Sequence, residues 1–362
     1  MPVSGHCLSL PHATLFPTAL RRSAMRHRFL TTLVSSLCVL FAASAYADER
    51  PTLTVYTYDI FARKVITPEL RQQFEAQCQC QLNMVGLGDA GNIMSRLQLE
   101  GTKTQADVVL GIDNNQRAEA RRSGLFAPLP THLGTPTLPI DWQDATFMPV
   151  DWGWFTFVYD SQKVPTPPAS LDELINSDLR VVLEDPRTST PGLGMLLWMK
   201  SVYGDKAAER WQQLARHTVT VSRNWSEAYG LFLHGEADAV LSYSTSPAYH
   251  IEKEGEHRYK AMNLSEGLYM QIELAGKLAS SAHPREADQF LAFITRPEFQ
   301  QRMLVTNWMY PAWHDSEIKR PAGYYQDTFT PSRTFMMDDA TLDAHRKAWV
   351  REWQSAMSGA RR

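Results

Sequence analysis

Glu184-Asp-Pro-Arg-Thr-Ser-Thr-Pro-Gly-Leu-Gly-Met-Leu-Leu-Trp198 carries a shape and a chemistry together. Arg180 to Leu183, just before it, read as a short apolar strand, and Gly192 to Tyr203 read as a helix. Thr190 is the expected N-cap and Pro191 the first helical residue, because proline lacks the N–H that a helix start leaves without a partner. Backbone N–H groups, the Ser189 and Thr190 hydroxyls and the positive end of the helix dipole then converge on one point. Such a point suits a phosphate, a carboxylate or another acceptor. An ordinary capped helix has the same local sequence, so the rest of the chain must decide.

Working outward, strands and helices alternate. Leu53 to Tyr58, Leu82 to Leu87 and Ala106 to Gly111 read as strands, with helices from Pro68 to Gln77 and Asn92 to Glu100 between them. That alternation predicts a parallel sheet, in which ligands sit beyond the carboxyl ends of the strands. Those ends carry Tyr58-Asp59, Gly88-Asp89-Ala90 and Asp113-Asn114-Asn115, each of which also reads as simple turn chemistry. Residues 126–151 look proline-rich and irregular, and Trp154 to Tyr159 resume as a strand. A helix from Leu171, the opening stretch, a helix from Ser226 to His234 and a strand from Ala237 to Tyr243 follow. Leu268 to Leu274 read as a strand, Pro284 opens a helix with Ala287, Phe290, Leu291 and Ile294 on one face, and Thr341 to Ala356 read as the last helix. With 362 residues, 44% of them hydrophobic and 21% charged, the fold class is α/β in two lobes. The expected division is a leader over 1–47, the first lobe over 48–150, the second over 151–267, and a return to the first lobe with C-terminal helices over 268–362.

Arg26, His27 and Arg28, the apolar run Phe29 to Leu40 and Ala45-Tyr46-Ala47 make a cleavable secretory signal, so the exported chain is expected to begin near Asp48. The run is too short for a membrane anchor, and Ser36-Leu37-Cys38 is a poor lipobox. Met1 and Met25 are both possible starts. Without the four arginines of residues 1–47 the formal charge falls from −3 to −7, which suits a cationic ligand and leaves no basic stripe for nucleic acid. Cys78 and Cys80 are the only cysteines after the signal. An oxidising compartment permits a disulfide between them, and two free thiols are the alternative.

No nucleophile elbow, H-E-x-x-H, Walker or complete G-x-G-x-x-G motif occurs, and the histidines have no metal-ligand spacing. Aromatic residues instead fall at expected loops: Tyr58, Trp152, Trp154, Trp225, Tyr243, Tyr249, Trp308 and Tyr310. Several neighbour acids or hydroxyls, a set able to stack on a flat cationic ring while a carboxylate offsets its charge. Core packing is the plainer reading of most of them.

Leu53-Thr-Val-Tyr-Thr-Tyr-Asp59, Ala106-Asp-Val-Val-Leu-Gly-Ile-Asp-Asn-Asn115, Asp185-Pro-Arg-Thr-Ser-Thr-Pro-Gly-Leu-Gly194, Trp225-Ser-Glu-Ala-Tyr-Gly-Leu-Phe-Leu233, Leu241-Ser-Tyr-Ser-Thr-Ser-Pro-Ala-Tyr-His250 and Asn307-Trp-Met-Tyr-Pro311 closely resemble the thiamine-binding periplasmic proteins of bacterial ABC importers. The resemblance covers essentially the whole chain after the signal. It implies a two-lobed periplasmic binding protein of type II-like fold, each lobe a sheet flanked by helices, with a hinge between them. It also implies a monomer in the periplasm, neither an enzyme nor an integral membrane protein, and without a cofactor. That protein closes on thiamine, or on thiamine monophosphate or diphosphate, and docks to a permease with its ATPase subunit. Carried over residue by residue, the ligand contacts fall on Asp89, Ala90, Ser189, Thr190, Trp225, Tyr243, Ser244, Thr245 and Ser246. Tyr58, Asp59, Asp151 and Trp308 are added by likeness and position.

Two departures stand out. Asp89-Ala90 replaces the usual Asp-Gly, so a backbone contact there requires a turn without positive φ at residue 90. Arg63-Lys64 stand where relatives carry a tryptophan, which implies less stacking from that loop. Two other readings remain open: a binder of another cation, such as a polyamine or ferric iron, and an enzyme acting on thiamine, for which Cys78 and Cys80 are the only thiols.

Overall fold

The computed structural model describes residues 50–326 and 329–359. The leader and signal over residues 1–47 and its cleavage site lie outside the described residues. The first parallel block is β1 (Thr52–Thr57), α1 (Pro68–Cys78), β2 (Gln81–Gly86), α2 (Ala90–Glu100), β3 (Val108–Asp113) and α3 (Arg117–Arg122). β4 (Met148–Asp160) and α4 (Leu171–Ile175) lead to a second block of β5 (Val181–Glu184), α5 (Thr190–Tyr203), α6 (Ala207–Ala215), β6 (Thr218–Ser222), α7 (Trp225–Leu233), β7 (Ala239–Tyr243) and α8 (Ser246–Glu254). β8 (Tyr259–Ala261), β9 (Leu268–Lys277), α9 (Pro284–Ile294), α10 (Pro297–Thr306), β10 (Tyr310–Pro311), α11 (Gly323–Gln326), β11 (Thr334–Phe335) and α12 (Asp339–Gly359) complete the described chain. Among the described residues no helix is long and apolar enough to cross a membrane.

All strands among the described residues join one mixed sheet with the main order β2-β1-β3-β9-β4-β7-β5-β6. β1 lies parallel between β2 and β3, and β5 lies parallel between β6 and β7. The long antiparallel pair β4 and β9 joins these two blocks. β9 meets β3 through Glu273 to Lys277, whereas β4 meets β7 through Phe155 to Tyr159. Their shared ladder shifts register between Pro149 and Trp152. The irregular stretch expected up to residue 151 therefore ends earlier, at Met148. All thirteen residues of β4 are buried, so the strand shows no alternation that would mark its start.

α12 straps the two halves. Its Asp339, Asp343 and Arg346 pair with Arg117, Arg122 and Glu119 on or beside α3, while Glu352 holds Lys200 of α5 and Trp353 meets Trp211 of α6 edge-on. The main core runs through both blocks, and a smaller separate core of Val158, Val182, Ala228, Tyr229, Phe232, Ala237, Val240 and Tyr259 supports α7. Cys78 and Cys80 are joined in a disulfide.

Helix α5 starts one residue earlier than expected. Ser189, extended at φ −114° and ψ 137°, is the N-cap, and Thr190 is already helical. Gly192 and Gly194 are there for packing. A Cβ on Gly192 would lie 2.5 Å from the Glu184 carbonyl oxygen, and one on Gly194 would lie 2.0 Å from the Phe155 ring. The helix thus sits on the sheet at a distance that only glycine allows.

Candidate functional site

Five carboxylates converge where the two blocks meet: Asp89 after β2, Asp113 ending β3, Asp151 on β4, Glu184 ending β5 and Glu273 on β9. Loss of water pushes Asp113 up to about 6 and Asp151 up to about 7. Glu184 and Glu273 are held well above the usual carboxylate range, first by burial and then by Asp89 and Asp151 respectively. Partial relief comes from Asn307, whose amide donates to Asp151 Oδ2 at 2.7 Å, and from the Asn115 and Gln116 N–H groups, which donate to Asp113 at 2.9 and 3.1 Å. Asp151 Oδ1, Glu273 Oε1 and both Glu184 oxygens are buried without a hydrogen-bond partner. A buried polar atom left unpaired costs ~1–3 kcal/mol, so these four atoms mark the junction as a place shaped for a ligand that supplies charge or donors.

Tyr58 and Tyr243 face this set. Their hydroxyls are pushed well above the ordinary tyrosine range by burial and by the acids, Glu273 foremost for Tyr58 and Asp89 for Tyr243. The Tyr58 hydroxyl lies beside the Glu273 carboxylate. Tyr58 packs edge-on against Phe61, and its ring fills the space over Gly111, where a Cβ would lie 2.7 Å away.

Two helix starts add hydroxyls. Ser189, only 3% exposed, caps α5 with its backbone, since Leu193 N–H donates to its carbonyl at 3.0 Å, but its Oγ has no partner. Thr245, the N-cap of α8, likewise leaves its buried Oγ1 unused, and so does Ser244. The first N–H groups of each helix have no intrahelical acceptor, and the helix dipoles add partial positive charge there. Ser246 is occupied differently: its Oγ bonds Ser242 Oγ at 2.8 Å and accepts from Tyr243 N–H.

Trp225 opens α7 with Asn224 as its cap. Its indole N–H donates to Ser242 Oγ at 2.8 Å and one face stacks on Tyr229 at 4.9 Å and 28°. The ring is half-buried, which leaves area for a second stacking partner. Thr188 Oγ1 donates to the Arg223 carbonyl and so ties this corner to the turn before Ser189. Across the junction, Gly91 of α2 lies against Thr188, where a Cβ would sit 2.5 Å from the carbonyl oxygen.

Other expected residues serve other ends. Asp59 accepts from Gly88 N–H and pairs with Arg63, which fastens the ends of β1 and β2 together. Trp308 takes φ 57° and packs among Tyr324, Tyr249 and Lys253. Trp152 and Trp154, expected at loops, lie on β4 and donate to the Pro311 carbonyl and Thr334 Oγ1 as packing residues. Ala90 starts α2, and the positive φ of that turn falls on Gly88, so alanine is tolerated at position 90. The sequence placed Asp113 at a strand end without marking it as a site residue, and singled out neither Glu184, Glu273, Asn307 nor Ser242. The available signal was an acid ending or interrupting an apolar strand, as in Val181-Val-Leu-Glu184 and Ile272-Glu273-Leu274.

Beside the acids, Asp113, Ser189, Thr190 and Arg346 line a small cavity. Arg187 and Arg346 continue from it into an open cavity of about 570 Å³ between α3 and α12, whose walls also hold Arg122, Lys347 and Arg351. Glu119 and Asp343 on the same walls pair with Arg346 and Arg122, and five basic against two acidic side chains leave this cavity net positive, opposite in sign to the acid group. Among the described residues no three His, Cys, Asp or Glu side chains are grouped so as to hold a metal ion.

The bacterial extracellular solute-binding protein family matches residues 53–304. A thiamine-binding periplasmic protein of Escherichia coli K12 is 48% identical over 329 residues, 90% of this chain and 99% of that protein. A solved structure of a periplasmic thiamin binding protein superposes with a TM-score of 0.81 at 48% identity, covering 85% of this chain and 96% of that one. Iron-bound HitA from Pseudomonas aeruginosa shares the fold at a TM-score of 0.68 and 20% identity, covering 86% and 99% of the two chains.

Proposed function

The chain belongs to the family of bacterial extracellular solute-binding proteins, and from that premise we propose that it captures thiamine in the periplasm and delivers it to an ABC-type importer of the inner membrane. It is a transport component and not an enzyme. The observation that carries the reading is the group of buried, unpartnered carboxylates with the rings of Tyr58 and Tyr243 facing it. Thiamine has a fixed positive charge on a flat thiazolium ring, an aminopyrimidine that donates hydrogen bonds, and a hydroxyethyl arm. The ring charge answers the acids, the flat rings suit Trp225 and Tyr243, and the arm suits Ser189, Thr190 and the helix starts. Phosphate esters fit the same scheme, with the phosphate beside Ser189 and the basic walls of Arg187 and Arg346. The reading includes an exported monomer cleaved before Asp48.

Native mass spectrometry of the protein from a periplasmic extract, followed by calorimetric titration with thiamine, tests it. Copurified thiamine or one of its phosphates, and saturable binding, are the expected results. A polyamine in the preparation, with no heat on adding thiamine, would overturn the reading.

A further inference from the structure

We propose that His250 is a positioning residue that sets the orientation of the Trp225 stacking face through Tyr229. The affinity part of this inference rests on the thiamine reading, and the spectroscopic part does not. Trp225 is held in a closed ring of contacts. Its indole N–H donates to Ser242 Oγ, which bonds Ser246 Oγ at the start of α8. One turn along that helix stands His250, fully buried, whose Nε2 meets the Tyr229 hydroxyl at 2.9 Å. Tyr229 closes the ring beneath the indole.

The hydrogen-bond network assigns the tautomer. His250 Nδ1 lies 2.6 Å from the Glu254 carboxylate, which only accepts, so Nδ1 donates there and Nε2 accepts from the Tyr229 O–H. The imidazole also packs against Tyr259 of β8 at 4.3 Å. One side chain therefore fixes α7, α8 and β8 relative to one another. It does so where packing is thin, because α7 rests on the separate small core of eight buried residues. A small apolar core defines position poorly, whereas directed hydrogen bonds define both position and tilt.

The test uses the full-length protein labelled with 5-fluorotryptophan, with the Trp225 resonance assigned by its loss in Trp225→Phe. In His250→Phe, which keeps a ring and removes both hydrogen bonds, the Trp225 fluorine signal should shift or broaden while that of Trp198 in the main core stays in place. The thiamine dissociation constant should rise about tenfold, and by less than about twofold when the same change is made in Trp225→Ala. Tyr229→Phe, which loses only the hydroxyl, should give the same pattern and serves if His250→Phe does not fold. An unmoved Trp225 signal in a folded variant, or an equal affinity loss with and without Trp225, would overturn the proposal. Failure of the unaltered protein to bind thiamine would sink the thiamine reading, and the fluorine spectra would still judge His250.

Discussion

Raising the pH from 5 to 8 should destabilise the empty protein, and the size of the effect follows from the buried acids. Asp151 rises from an ordinary 3.8 to about 7, and Asp113 to about 6. Between its unfolded and folded values each group binds more protons in the folded chain than in the unfolded one. Folding stability therefore falls by ~1.4 kcal/mol per pH unit per group across that range. From pH 5 upward, Asp151 contributes about two such units and Asp113 about one, together ~4 kcal/mol. Glu184 and Glu273, also pushed up, act in the same direction. Carboxylates held low by partners, such as Asp185 with Arg187 and Asp238 with Arg180, contribute stability that is lost only on acidification below the window. With ~2 cal/mol/K per residue of unfolding entropy over roughly 310 residues, ~4 kcal/mol corresponds to about 6 °C in Tm. Scanning calorimetry at pH 5, 6, 7 and 8 measures it. Asp151→Asn should remove about half of the slope, and saturating thiamine should flatten it, because a bound cation favours the ionised acids. A Tm that is level or rises over this range, or a slope unaffected by Asp151→Asn, would refute the argument.

Trp225→Ala should weaken thiamine binding roughly thirtyfold, since an aromatic face over a desolvated cation contributes ~2 kcal/mol, and calorimetry reads it directly. Ser189→Ala should cost thiamine monophosphate more than thiamine, by up to about tenfold, as the unused Oγ would donate to a charged oxygen in one case only. Dissociation constants for both ligands in both proteins decide it. Gly194→Ala should lower Tm by about 2–5 °C, because its Cβ would overlap the Phe155 ring 2.0 Å away in the closed core.

Much of this was legible in the chain. β1, β2, β3, β5 and β7, the helix after Ser189 and the terminal helix fall close to their expected places, whereas α6 and the short, half-exposed edge strand β6 were not anticipated. Tyr243 and Asp151 do come together at the junction. The acids Glu184 and Glu273 were hidden because a carboxylate within a buried strand carries no periodic mark, and its role depends on partners far away in the chain, Asp89 for Glu184 and Asp151 for Glu273. β4 was read short for a related reason: its first residues, Met148-Pro-Val-Asp151, look like loop and become strand only because β9 and β10 pair with them. Gly192 and Gly194 complete no glycine motif in the sequence, and only the distances to Glu184 and Phe155 reveal their packing role.

The meeting of Gly91 with the Thr188 carbonyl has a consequence for the balance between conformations. A methyl group at position 91 would act as a wedge against the Thr188 carbonyl, 2.5 Å away, and would strain any arrangement in which these two segments meet. Apparent affinity scales with the fraction of molecules able to adopt the bound arrangement. If the overlap costs ~2 kcal/mol, Gly91→Ala would lower affinity about thirtyfold with no ligand-facing side chain altered. Ligand release would quicken by a similar factor if association stayed unchanged. A protein that must hold its cargo in solution and surrender it at the membrane can therefore be tuned at a residue that has no side chain at all.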